Sequence, residues 1–390
     1  MSDYKKLMDR LIRQEIEKGE IHGASALIVH NGKEIYHKVS GYADKEAGRP
    51  MSRDTIFRLY SMTKPVTACA VMILAERGQI ELWERVGKYL PGFTRQKVWK
   101  PEGGFDEARR DITIWDLLHM TSGIPYPDET HEPGRRMAEV FRSCISRRKA
   151  GERVDTQEYI RLAAEVPLVF QPGEKWMYGL SADVLGAVAE AAAGKPLGEF
   201  FREELFLPLD MPDTGFFVPK KKMPRFAGNY SWSPEENRLT PYTDSHLGEY
   251  YGEDVAFESG GAGLVSTIDD YLHFAQLLLN KGVYQGKRIL GRKTVEFMTQ
   301  DRLTAKQKQD FTWDSLLGHG YSCFLRILAD QGAALSNAGL GEYGWDGWTG
   351  NFFTVSPADH LIILYFIQKC GSGMTPMMRK LRLAAYAMLE

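Results

Sequence analysis

"FRLYSMTKPVTACAVMILAERG", residues 57–78, opens with Ser61-Met62-Thr63-Lys64-Pro65 and runs on as a helical pattern that buries Val66, Ala70, Val71 and Leu74. A serine and a lysine three residues apart at the start of such a helix are neighbours on its surface. The apolar context carries the lysine toward the interior, where a charge is costly unless it has a partner or a task. Desolvation lowers the pKa of an amine, so Lys64 could take the proton of the Ser61 hydroxyl, and the helix N-terminus favours negative charge developing on that serine. Pro65 fits the first turn, whose N–H groups have no intrahelical acceptor. The plainer alternative is a capping serine beside a lysine whose ammonium reaches water.

Spacing alone decides little, because S-x-x-K occurs three times, at Ser2/Lys5, Ser61/Lys64 and Ser146/Lys149. The first and third lie in charged helical sequence and read as solvated faces. A second feature stands in "FQPGEKWMYGLSADVLGAVAEAAAG", where Tyr178 follows a Pro172-Gly173 turn and precedes a helix that begins near Ser181. It could equally be a tyrosine that fills the core.

The whole chain narrows the choices. Its 390 residues, 43% of them hydrophobic, suffice for one large domain, and a net charge of -2 offers no electrostatic footprint for nucleic acid. The four cysteines, Cys69, Cys144, Cys323 and Cys370, are far apart, and the histidines do not cluster at ligand spacing, which argues against disulfides and a structural metal. His119, in "LLHMTSG", reads as a packed structural histidine. No apolar run approaches the length of a membrane span, "LIILYFI" at 361–367 being far too short. A cytoplasmic protein is the expectation, since the first twenty residues are amphipathic and charged and do not resemble a signal peptide.

An amphipathic helix is predicted at the N-terminus, with Tyr4, Leu7, Met8, Leu11, Ile12 and Ile16 on its apolar side. "ASALIVH" and "EIYHKV" flank Asn31-Gly32, the signature of a two-residue hairpin. Helical patterns dominate from about 66 to 300. Strand-like runs return in "GYSCFLRIL", "NFFTVSP" and "LIILYFIQ", and a last helix starts at Thr375-Pro376. Strands at both ends of the chain predict one antiparallel sheet assembled from the two termini, with a largely helical insertion beside it.

Other chemistries lack their motifs. No serine sits in G-x-S-x-G, the nearest, Ser181 in "GLSAD", failing at Asp183. "GLGEYG" at 339–344 matches a dinucleotide fingerprint but leads into "WDGWTGNFF" where a helix should follow.

Taken in order, Ser61-Met62-Thr63-Lys64-Pro65, "ITIWDLLHMTSGI", "PGEKWMYGLSADVLG", "GGAGLVSTIDDYLHFAQLL" and "GWDGWTGNFFTVSP" resemble the serine β-lactamase and penicillin-recognising family, in particular its class C branch with the related esterases and transesterases. The similarity runs from about residue 20 to 370. It implies a β-lactamase/transpeptidase-like α+β fold: an antiparallel sheet flanked by N- and C-terminal helices (roughly 1–80 and 255–390) and a mainly helical subdomain (roughly 81–254) within one domain. It implies Ser61 as nucleophile, Lys64 and Tyr178 as the proton-shuttling pair, and an oxyanion hole from the backbone N–H groups of Ser61 and Trp348 on the third-motif strand. No metal or organic cofactor is implied.

Two departures from the family pattern bear on substrate. Leu180 stands where the tyrosine motif usually has asparagine, and Trp345-Asp346-Gly347 aligns with the K-T-G triplet of β-lactamases. Tryptophan supplies no cation for a substrate carboxylate, and an aspartate facing the pocket would repel one. Together with Tyr250 in the segment 226–258, which falls where the family has a variable loop over the site, Leu180, Trp345, Asp346 and Gly347 are the expected substrate-binding residues. The expected activity is hydrolysis of small uncharged carboxylic esters, or acyl transfer, through an acyl-serine. A β-lactamase or D-amino-acid peptidase is the second reading and an acylatable sensor module the third.

Overall fold

The computed structural model describes residues 2–242 and 251–389. Its central feature is an eight-stranded antiparallel sheet. The strands are β1 (Gly23–His30), β2 (Lys33–Asp44), β3 (Arg49–Pro50), β4 (His319–Ser322), β5 (Leu325–Leu328), β6 (Tyr343–Asp346), β7 (Phe352–Ser356) and β8 (Leu361–Phe366), in the order β4-β5-β6-β7-β8-β1-β2-β3. The two ends of the chain meet where β1 pairs with β8, Leu27 opposite Leu364.

The β1–β2 hairpin turns at Asn31 and Gly32, both at positive φ (51° and 73°), as a type I′ turn requires. The run 319–328, which reads as continuous, is a second hairpin that turns at Cys323 and Phe324, both with positive φ (47° and 63°). Pro50 ends the sheet at β3, where a missing N–H deprives no neighbour of a ladder bond.

Alternation along the strands divides the core in two. Ala24, Ala26, Ile28, Ile363, Tyr365 and Phe352 face the terminal helices α1 (Ser2–Glu17) and the Pro376–Tyr386 helix, whose Thr375 hydroxyl caps Met378 N–H. Leu27, Val29, Ile362, Leu364 and Phe353 face the internal helices α2 (Thr63–Glu76), α3 (Ser181–Ala193) and α4 (Ile268–Leu279). With both faces covered, β8 reads as an unbroken apolar run.

Every residue of α2 from Thr63 to Leu74 is buried. It is therefore an interior helix packed on α3, and not the one-faced helix its sequence suggests. Among the described residues no helix is long and apolar enough to cross a membrane, and no cluster of His, Cys, Asp and Glu has the geometry of a metal site.

Candidate active site

Ser61 lies in a single 3₁₀ turn, Tyr60–Met62, that feeds directly into α2. Met62 is the N-cap, so Ser61 does not cap the helix. Tyr60 has φ +46°, a left-handed conformation that costs a non-glycine residue about 1 kcal/mol and points the next side chain out of the helical path. Ser61 is half-buried, whereas Lys64, one turn on, has no exposed surface. The lysine that reaches solvent is thereby excluded.

Lys64 Nζ is 3.1 Å from Ser61 Oγ, donates to the Gly261 carbonyl at 2.8 Å and lies 4.7 Å from the centre of the Tyr178 ring, with the Tyr126 ring beside it at 5.5 Å. Burial lowers the amine from its ordinary value to about 7, against the opposing pull of Asp183 and Asp346. The Tyr178 hydroxyl accepts from Trp345 Nε1 at 3.3 Å, and the Ser61 side chain is near enough to act on the phenol. Burial raises the phenol well above its ordinary value, and the influence of Ser61 and Trp345 pulls it only part of the way back. Near neutral pH the site thus holds a neutral phenol beside an amine that is readily deprotonated.

Tyr178 is placed by backbone. Met177 N–H donates to Met120 O at 2.9 Å, Leu180 N–H donates to Ile124 O at 3.3 Å, and Gly179 lies so close to Ile124 that a Cβ there would collide with its carbonyl. Around the ring stand Trp345, stacked at 5.7 Å, Trp313, edge-on at 5.0 Å, Trp176 and Tyr126. Trp313 is 40% exposed, so this aromatic wall has an open rim.

The remaining candidates fall in different places. Asp346 follows Trp345 on β6 and therefore points to the opposite face of the sheet: it pairs with Phe352, beside the terminal helices, while Trp345 pairs with Phe353 on the α2 side. There Asp346 forms an ion pair with Arg326 of β5, whose side chain is 5% exposed. Asp346, expected among the substrate-binding residues, is thus held by an arginine on the face away from Trp345. Leu180 is fully buried and presents no surface to a ligand. Gly347 lies against the Leu59 carbonyl, where a side chain has no room, and Trp348 sits in the turn after β6, not on the strand, edge to face with Tyr60.

In the segment 226–258, Tyr242 packs on Trp348 at 5.4 Å, whereas Tyr230 bonds to Lys45 N and Glu46 near β2 and Tyr251 packs on Phe226. Tyr250 lies outside the described residues. His119 is buried, its Nδ1 2.7 Å from Trp115 O and its ring lowered by burial to about 4. It is structural.

Asp183, Gly261, Tyr126 and Trp313 border the site and were not among the candidates read from the sequence. "GGAG" was available as a signal for the first two, since consecutive glycines mark close approach of backbone.

The fold that holds these groups is of the β-lactamase/transpeptidase type. The Beta-lactamase family model matches residues 8–387. The chain belongs to that family. Among proteins, it is 33% identical to an uncharacterised Mycobacterium tuberculosis protein over 92% of this chain and 88% of the relative. It is 30% identical to esterase EstB of Burkholderia gladioli over 97% of this chain and 94% of that one. Among solved structures, EstCE1, a hydrolase with promiscuous acyltransferase activity, superposes with a TM-score of 0.81 at 27% identity over 99% of both chains.

Proposed function

We propose that this protein is a serine hydrolase that cleaves small, uncharged carboxylic esters through an acyl-Ser61 intermediate. The observation that carries the reading is Lys64: wholly buried, lowered to about 7, and in hydrogen-bond contact with Ser61 Oγ. Its neutral amine takes the Ser61 proton as Oγ attacks the ester carbonyl carbon. The backbone N–H groups of Ser61 and Trp348 receive the oxyanion. The Tyr178 hydroxyl, kept protonated by burial, gives its proton to the departing alkoxide and is reprotonated from Lys64. Water then attacks the acyl carbon, its proton returns to the Lys64–Tyr178 pair, and Ser61 is released with its hydroxyl restored. An alcohol in place of water gives acyl transfer by the same steps.

The aromatic wall of Tyr178, Trp345, Trp313 and Trp176 suits an apolar acyl or alkoxy group, and Trp345 stands where the β-lactamase triplet has the lysine that meets a substrate carboxylate. The similarity to an esterase, EstB, and to EstCE1, a hydrolase with promiscuous acyltransferase activity, supports ester chemistry. The test is hydrolysis of p-nitrophenyl butyrate by the protein and by Ser61→Ala, with a chromogenic cephalosporin in parallel. Ester turnover lost in the alanine variant is the expected result. Faster cleavage of the cephalosporin overturns the substrate class.

A further inference from the structure

Behind Lys64, away from the aromatic wall, the loop Ser259-Gly260-Gly261-Ala262 passes between α2 and α3. It touches both helices through hydrogen bonds. Thr67 Oγ1 of α2 donates to Gly260 O at 2.6 Å, and Lys64 Nζ donates to Gly261 O. On the other side, Gly261 N–H donates at 3.1 Å to Oδ1 of Asp183, in the first turn of α3, and the Ser259 hydroxyl donates to the same oxygen. Glycine is required at 260 and 261: a Cβ would strike the Ala182 carbonyl at the first and the Asp183 carboxylate at the second. Gly261 thus has its N–H on a carboxylate and its carbonyl on an amine.

Asp183 is 1% exposed, and its Oδ2 accepts no hydrogen bond among the described residues. A capping carboxylate would sit at the surface. Burying one with a lone pair unused is costly, and such a group persists where its charge has a use. The groups around Lys64 are Ser61 on its own stretch of chain, the Gly261 carbonyl, and Tyr178 and Tyr126 as neutral phenols, while the carboxylates of Asp183 and, from the other face of the sheet, Asp346 act on it through their charge. Asp346 is already engaged by Arg326.

We propose that Asp183 is a positioning residue of this site, its carboxylate fixing the Gly261 carbonyl against Lys64 and serving as the buried counter-charge that sets when Lys64 holds a proton. The proposal rests on Lys64 as the base that acts on Ser61. The anion keeps the amine from falling too far below neutrality to accept and return a proton. Asp183's own carboxyl is raised by burial and held back by Lys64, Ser259 and the Gly261 N–H, the same contacts that tie it to the loop.

The experiment is the pH profile of kcat/KM on p-nitrophenyl butyrate for the wild type, Asp183→Asn and Ser259→Ala, with circular dichroism to establish folding. Asparagine keeps the oxygen that accepts from Gly261 and removes only the charge. The acid limb is expected to move to lower pH by about one unit or more in Asp183→Asn and by less in Ser259→Ala. A folded Asp183→Asn enzyme whose acid limb stays at the wild-type position overturns the proposal, whatever its kcat. If that variant does not fold, an unmoved acid limb in Ser259→Ala does the same. Ser61→Ala is run alongside, and its failure to lose the acyl-enzyme would sink the underlying reading, whichever way the Asp183 result falls.

Discussion

Tyr60 and Trp348 meet edge to face, their ring centroids 5.3 Å apart, so the left-handed residue that precedes Ser61 is braced by the turn that follows β6. Asn229 Nδ2 adds a hydrogen bond to the Tyr60 hydroxyl at 3.3 Å. Such an aromatic pair is worth about 0.5–1.5 kcal/mol beyond its area. Trp348→Ala keeps the backbone N–H but loosens the brace, and kcat on p-nitrophenyl butyrate is expected to fall roughly 3- to 10-fold with little change in KM. An unchanged kcat would show that Tyr60 holds its conformation without this contact.

The buried Lys64 amine fixes a pH signature. A base lowered to about 7 is protonated below that pH, so kcat/KM should decline on the acid side with a midpoint near 7.

Stability carries the complementary sign. In the unfolded chain the lysine keeps its proton up to its ordinary value, whereas in the folded protein it releases the proton above about 7. The unfolded state therefore binds more protons over that interval, and folding stability gains with rising pH. Relative to Lys64→Met, the wild type should gain up to about 1.4 kcal/mol per pH unit between 7 and 9, read from urea melts. Parallel stability curves for the two proteins would contradict the lowered amine.

Trp345 contributes both a stacked ring and an N–H to Tyr178. Trp345→Phe separates the two, retaining the ring and deleting the donor. A neutral hydrogen bond of this kind contributes about 0.5–1.5 kcal/mol, so kcat should drop roughly 2- to 10-fold while the Michaelis constant for the ester holds. A rise in the Michaelis constant alone would make the indole a binding surface only.

Arg326 and Asp346 form a pair in which breaking one side is worse than removing both. Arg326→Met should destabilise by about 3 kcal/mol, because it leaves a largely buried carboxylate without its partner. Arg326→Met combined with Asp346→Leu should recover much of that loss in guanidinium melts. Equal losses for the single and double variants would mean that packing, and not charge, governs the site.

The fold was legible because its cues are local or periodic. Asn31-Gly32 marks the first hairpin, Thr375-Pro376 opens the last helix, and the apolar runs near each terminus announce strands. Ser61, Lys64 and Tyr178 stood out as candidates through their motifs, and the structure places Lys64 against both Ser61 Oγ and the Tyr178 ring. What escaped depends on register or on distant partners. Asp346 looked like a pocket residue through its adjacency to Trp345, although period-two alternation sends it to the other face. Asp183 was noticed only for spoiling a different motif, its partners lying in a loop some 76 residues later. The hairpin at Cys323-Phe324 gave no cue, since neither residue ordinarily signals a left-handed turn.

Strand β1 must wait for its neighbour on one side, since β8, its partner there, lies more than 330 residues downstream. A ribosome therefore releases the β1–β2 hairpin and the whole α2 helix long before the edge beside β1 can be closed. Until then the Leu27 and Val29 side chains and an open row of backbone donors and acceptors stay available for misplaced association. Folding is expected to be slow and late, as the high sequence separation of these pairings requires. The same delay confers an order of assembly: the wall that carries Trp345 arrives after Ser61 and Lys64, so the surroundings of the nucleophile are completed some 280 residues after it has been made.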